Sequence, residues 1–279
     1  MSHKSILAVA SGSDEDAHVL NVAAGLARES GAETRVAPAF PDPAADLVYY
    51  GAAMQRGIDE GIMERIRASE RDAQARLERM ARQASEEADL ASEIRVEPRS
   101  LSPAATVAAA VALSDLVVFG AHAARRAALL ADLFAETLLQ ARASVLLVKG
   151  GPWKSDTAAI AWDGSAQAGR AVRAAMPILQ RARSVRILTN ADDAEGIASI
   201  VEPDDLQAYL ALHGVANAKT SAVRGGDVAA SLLDAAMAAE ASLLVAGAYG
   251  RPRVFELVLG GTTRALVNAE GGPHLLLAH

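Results

Sequence analysis

Two stretches decide the fold: Leu116-Val117-Val118-Phe119-Gly120-Ala121-His122 and Leu243-Leu244-Val245-Ala246-Gly247-Ala248-Tyr249. Each is a short, unbroken apolar run closed by glycine. That pattern suits a strand covered by helices on both faces rather than one that alternates between core and water. Each is followed by a second apolar run, Val145-Leu146-Leu147-Val148 in the first case and Leu275-Leu276-Leu277-Ala278 in the second. Toward the N-terminus, each is preceded by a matching opening. Ser5-Ile6-Leu7-Ala8-Val9-Ala10 leads into Ser11-Gly12-Ser13, and Ala158-Ala159-Ile160-Ala161-Trp162-Asp163 leads into Gly164-Ser165. Helical patterns follow at 14–29 and 166–182, each beginning at a serine able to cap it. Further strands are predicted near 34–39, 93–97, 115–120 and 144–149, and near 184–189, 218–223, 242–247 and 274–278. The order reads as an internal duplication of an α/β unit. It predicts two doubly wound parallel-sheet domains of five strands each, with right-handed crossovers laying helices on both faces. The domains are expected at 1–150 and 151–279, joined by Gly150-Gly151-Pro152, a segment too brief for free domain motion.

Composition supports that count. The chain has 279 residues, a length that suits two domains at ~150 residues each. It is 51% hydrophobic with 4% aromatics and 64 alanines, so its core is built from Ala, Val, Leu and Ile. Such a core favours close-packed helices over an aromatic-rich β-sandwich. The absence of cysteine excludes disulfides, thiolate metal sites and a cysteine nucleophile. A net charge of −7 argues against a dedicated nucleic-acid binder. No apolar run approaches the ~20 residues of a membrane span. Met1-Ser2-His3-Lys4 leads straight into a strand without the apolar core of a signal peptide. The expectation is a cytoplasmic protein without a membrane partner.

The first half is longer between its second and third strands. Phe40-Pro41-Asp42-Pro43 signals a loop. Beyond it, Ile58, Ile62, Ile66, Ala73, Leu77, Met80 and Ala84 recur near a helical period, with Glu64, Arg65, Glu70, Arg71, Arg76, Glu78 and Arg79 opposite. A long helix over 56–88 is expected, covering its domain and presenting a mixed-charge face to solvent or to a protein partner.

In doubly wound sheets, ligands bind at the carboxyl ends of the strands, where strand order reverses. The loops there read Asp163-Gly164-Ser165 and Gly247-Ala248-Tyr249-Gly250, then nine residues, then Gly260-Gly261-Thr262-Thr263. Glycines allow close backbone approach, and amides feeding a helix form a nest for phosphate. This glycine spacing, Asp163 after a first strand, Gly225-Gly226-Asp227 after a third and the final apolar strand resemble the universal stress protein family. Over nearly its whole length the chain resembles a tandem member, which implies strand order 3-2-1-4-5 in each half. The resemblance implies a stress-response protein that binds ATP or another adenine nucleotide, with Mg2+, in its second domain, in a regulatory role. It implies that Asp163, with Gly164 and Ser165, meets the nucleoside. Gly247, Gly250, Gly260 and Gly261, with Thr262 and Thr263, would hold the phosphates. One departure is Gly261, which stands directly after the third glycine where Ser or Thr is usual. The first half departs further. Ala10 takes the aspartate's place, Ala123 that of the second glycine, and Asp132-Leu133 fall where the third belongs. That half is expected to have lost the site.

Rival motifs are weaker. Ser11-Gly12-Ser13-Asp14 superficially resembles the phosphate loop of ATP pyrophosphatases, but it lacks the second glycine and reads better as a helix cap. No Gly-x-x-x-x-Gly-Lys-Ser/Thr loop or complete Gly-x-Gly-x-x-Gly fingerprint occurs. The histidines at 3, 18, 122, 213, 274 and 279 have no metal-ligand spacing, so no metal ligands are assigned. His122 and Tyr249 occupy equivalent rim positions. Arg125-Arg126 and Arg251 with Arg253 read as solvated helix starts, with phosphate attraction as the alternative. No nucleophile, base and orienting acid come together, so no catalytic residues are assigned and slow nucleotide hydrolysis is the most expected of the fold. The resemblance further implies that the final strands, Val145–Val148 and Leu275–Ala278, pair within the chain as a pseudo-dimer, with a homodimer as a further assembly. Two other functions stay open: a ligand-free interaction module, and a small-metabolite enzyme at the same cleft.

Overall fold

A ten-stranded sheet runs through the molecule in the order β3-β2-β1-β4-β5-β10-β9-β6-β7-β8. The computed structural model describes residues 2–40, 60–98, 103–122, 128–191, 201–248 and 261–279. The first half runs β1 (Ser5–Ala10), α1 (Asp16–Ser30), β2 (Glu33–Pro38), α2 (Glu60–Glu87) and β3 (Arg95–Val96). It continues with α3 (Pro103–Val111), β4 (Leu116–Gly120), α4 (Ala128–Ala135) and β5 (Val145–Val148). A single wide π-helical turn, Glu136–Gln140, extends α4. The second half runs β6 (Thr157–Ala161), α5 (Ala166–Leu179), β7 (Ser184–Asn190), α6 (Pro203–Leu212) and β8 (Ala218–Val223). It ends with α7 (Val228–Ala238), β9 (Leu243–Gly247), α8 (Gly261–Asn268) and β10 (His274–Ala278).

Each half therefore has the expected strand order 3-2-1-4-5, and neighbouring strands within a half are parallel. The halves meet where β5 and β10 pair antiparallel, matching Leu147 to Leu275, Leu146 to Leu276 and Val145 to Leu277. In the parallel registers, Val117 pairs with Val145 and Leu244 with Leu275. Val145 and Leu275 are thus equivalent positions, and a local two-fold axis passes between Leu146 and Leu276. The expected pairing of final strands within the chain is present. It joins two runs that would otherwise be open apolar edges.

Side-chain alternation along the buried strands sorts the core into two layers. Ile6, Ala8, Val118, Leu146, Leu276, Val245 and Ile160 face α1 and α5. Leu7, Val9, Val117, Phe119, Leu147, Leu275, Leu277 and Leu244 face the opposite side, with Val107 of α3, Ala236 of α7 and Leu266 of α8. Both layers continue across the β5–β10 seam, so the two halves share their core. Among the described residues, no helix is long and apolar enough to cross a membrane.

Four local expectations are corrected. Helix α1 starts at Asp16 rather than 14, and its N-cap residue Glu15 makes no side-chain cap bond, so the serine cap expected there is absent. In α5 the expected cap is present, with Ser165 Oγ accepting from the Ala168 amide at 3.1 Å. The strand expected over 93–97 contracts to Arg95–Val96; just before it the Ile94 amide donates to Ser85 Oγ of α2 at 2.9 Å, and just after it the Glu97 amide donates to the Val36 carbonyl at 2.8 Å. Helix α5 ends at Leu179 rather than 182, where tightening i→i−3 bonds such as Arg181 to Ile178 close it. The long helix is described over Glu60–Glu87; residues 56–59, and 41–43 of the predicted loop, lie outside the described residues.

Candidate functional site

In the second half, the chain leaves β6 toward β7 and β8 on one side and returns to β9 on the other. The order reverses between β6 and β9, which pair in parallel up to Ala161 and Ala246. Two predicted segments meet there. Asp163, just past β6, is exposed, and its Oδ1 accepts from the Ser165 amide at 3.0 Å. Gly164 takes a left-handed φ of 72°, the turn that points the chain into α5. Gly247 closes β9 beside the first turn of α5. A Cβ built on it would lie 2.5 Å from the Ala168 amide nitrogen and 2.8 Å from the Gln167 carbonyl carbon. Its lack of a side chain is therefore required by packing, whatever it does for a ligand.

Gly261 is the first residue of α8, and the space where its Cβ would project is open to 4 Å. Thr262 is exposed, whereas Thr263 turns into the core and is buried. Thr263 therefore supports α8 from beneath instead of joining Thr262 at the rim, because successive helical positions lie about 100° apart. Gly250 and Gly260 lie outside the described residues, as do Tyr249, Arg251 and Arg253. Just before Asp163, Trp162 is buried and its Nε1 donates to the Val201 carbonyl at 3.1 Å, tying this loop to the approach of α6. An exposed carboxylate and the amide end of a helix suit a ligand with polar groups at one end and an anion at the other.

The matching corner of the first half is built differently. Ile6 pairs with Leu116 as Ala158 pairs with Leu243, so Ser11, rather than Ala10, occupies the position of Asp163. Gly12, like Gly164, has a left-handed φ, here 81°. Fully buried Asp16 turns back on this loop, accepting from the Gly12 amide at 2.6 Å and from the Ser11 amide and hydroxyl at 3.1 and 3.2 Å. Burial pushes the Asp16 carboxyl above the usual carboxylate range, against the opposing pull of those donors. The Phe40 ring covers Gly12, and Arg76 of α2 reaches the Gly12 carbonyl at 3.4 Å and Asp14 at 3.9 Å. The amides that would face an anion are thus met by the chain's own carboxylate. Only the position of Asp16 five residues after Ser11 hinted at this in the sequence.

A cavity of about 360 Å3 lies nearby, on the α1 side of the sheet, lined by residues including Glu15, His18, Gly120, His122 and Lys149. His122 folds over Gly120, where a Cβ would strike its ring, and its Nδ1 lies 2.9 Å from Glu15 Oε2. Ala123, Arg125 and Arg126 lie outside the described residues, while Asp132 is exposed and Leu133 buried on α4. Among the described residues, no cluster of three or more His, Asp or Glu side chains is arranged to hold a metal.

Residues 155–270 match the model of the Universal stress protein family. No curated protein matches the sequence. A universal stress protein from Archaeoglobus fulgidus DSM 4304 has a similar structure, at 15% identity and a TM-score of 0.68, over 98% of this chain and 95% of that one. A protein of unknown function from Pseudomonas aeruginosa PAO1 is similar over 99% of this chain and 92% of its own, at 14% identity and a TM-score of 0.59. At those identities the likeness is one of fold. The chain therefore carries a universal stress protein domain at residues 155–270, in a mostly parallel α/β framework that a solved member of that family shares over nearly its whole length.

Proposed function

We propose that the second half binds an adenine nucleotide, ATP or a close analogue, and acts as a cytoplasmic regulatory binding protein in a stress response rather than as an enzyme. The observation that carries this reading is the meeting of exposed Asp163 with Gly247 at the reversal of strand order. Asp163 would contact the nucleoside, with Gly164 and Ser165 shaping its loop. Gly247, Gly250, Gly260, Gly261 and Thr262 would line the phosphate path into the amide end of α8, where Mg2+ accompanies the phosphates. The open space at Gly261 suits a phosphate approaching that helix. The chain is read as a duplication, 1–150 and 151–279, whose first domain keeps the fold and has exchanged its ligand for Asp16.

Isothermal titration of ATP with and without Mg2+ tests this reading. Binding to the wild-type chain is expected, and Asp163→Asn should weaken it roughly tenfold or more while keeping the acceptor that the Ser165 amide uses. Absence of binding to the wild-type chain overturns it. The packing of Gly247 on Ala168 favours a second reading, a ligand-free module that works through pairing with a protein partner or a second chain. On that reading ATP leaves the thermal unfolding of the protein unchanged.

A further inference from the structure

Where the halves join, three histidines gather, and two of them, His3 and His274, bridge the halves by hydrogen bonds. His3, ahead of β1, places Nε2 2.9 Å from the Ala174 carbonyl of α5. His18 of α1 places Nε2 2.8 Å from the Lys149 carbonyl, just past β5. His274, the first residue of β10, accepts at Nδ1 from the Lys149 amide at 3.1 Å. The Lys149 ammonium completes the grip by donating to the Leu266 and Ala269 carbonyls at the end of α8, at 2.5 and 3.1 Å. Trp153 of the connecting segment seats against Gly25 of α1 and stacks on His274, with ring centroids 5.9 Å apart.

We propose that this seam is an acid-sensitive latch: neutral His274 ties β10 to the end of β5, and its protonation releases the two halves from one another. The hydrogen bond demands the neutral ring. Because the Lys149 amide donates to Nδ1, a proton placed there would set two N–H groups against each other and break the tie. His274 is 1% exposed, so the ring has almost no water to solvate a charge. Of the charged and titratable groups around it, His18 adds to that cost. Those groups are His18 of α1, with ring centroids 6.2 Å away, and Lys149 beyond β5. β9 sets Leu243 beside it, the buried face of α5 is apolar, and the connecting segment supplies Trp153 and the Pro152 carbonyl. Protons reach the cluster through the cavity that His18 and Lys149 line, whose rim residue Glu15 is more than half exposed.

Burial first, and the charge of His18 second, lower the His274 pKa from 6.5 to about 4, against a smaller upward pull from the Pro152 carbonyl. In the released state the ring titrates at its ordinary value. Protonation therefore leaves the closed seam unaffected above pH 6.5 and disfavours it progressively as pH falls toward 4, by roughly 300-fold in all.

The test uses the full chain carrying Trp162→Phe, so that Trp153 is the remaining indole. Titration from about pH 7 to about pH 3.5 is expected to change Trp153 emission and increase the scattering radius while far-UV circular dichroism stays native. His274→Asn keeps an acceptor for the Lys149 amide but takes no proton, and should move this transition down by about one pH unit or abolish it. His18→Gln removes the neighbouring charge and should move it the same way by less; it carries the test alone if the first variant does not fold. Loss of Trp153 signal and circular dichroism together at one pH, or a midpoint that neither substitution moves, overturns the proposal.

Discussion

At Gly247 a methyl group would sit 2.5 Å from a backbone nitrogen, an atom that cannot swing aside as a side chain would. Gly247→Ala should therefore destabilise the chain by about 1–3 kcal/mol in urea unfolding, with or without nucleotide. The glycine was legible as part of a spaced motif; its packing role was not, because that depends on where α5 lies. Asp16 makes the same point for polar atoms. Asp16→Ala strips the Ser11 and Gly12 amides of their buried acceptor and should cost about 1–3 kcal/mol, measured in the same way. Asp163 shows the converse. Its charge and its place after a strand were readable from sequence, and the structure leaves it exposed beside the reversal of strand order.

Among the elements, β5 and β10 bear the most on how the chain is held together. Leu146 and Leu276 face each other at the local two-fold and are wholly buried. Leu146→Ala should lower stability by about 2–5 kcal/mol, the usual range for a leucine truncated in a closed core, as read by chemical denaturation. Helix α2 behaves differently. Leu77, Ala81 and Ala84 join the core, while Arg71 and Glu64 form a 3.0 Å pair with both side chains mostly in water. Arg71→Ala should change thermal stability by less than about 0.5 kcal/mol, since exposed pairs are screened and cost side-chain entropy. Apolar runs and helical periods made these elements readable in the sequence. Their ends were less so: β3 is shorter than expected, and the Ile94 amide just before it is taken by Ser85 of α2.

For the molecule as a whole, stability should depend on pH with opposing contributions, His3 and His274 acting in one sense and Asp16 in the other. His274 binds its proton less tightly in the folded chain, so its contribution to stability is complete above pH 6.5 and falls by about 3 kcal/mol as pH drops toward 4. Asp16 acts in the reverse sense, since burial raises its pKa and protonation relieves the folded state. Urea unfolding of wild type and His274→Asn across pH 4–7 should show the histidine contribution as the difference between the two curves. The sequence by itself determined the α/β class and the alternation of strands and helices in each half, because buried strands and crossover helices leave periodic apolar patterns along the chain; the strand order and the pairing of the last strands followed from the family resemblance. It also marked the second half as the copy that keeps the motif. Only the tertiary structure decided that Asp16 fills the first half's loop and that Thr263 faces the core. It likewise decided that Lys149, His18, His274 and Trp153 meet at one seam. Those contacts join residues far apart in the chain or depend on the rotation of a helix, and neither composition nor local periodicity records such distances.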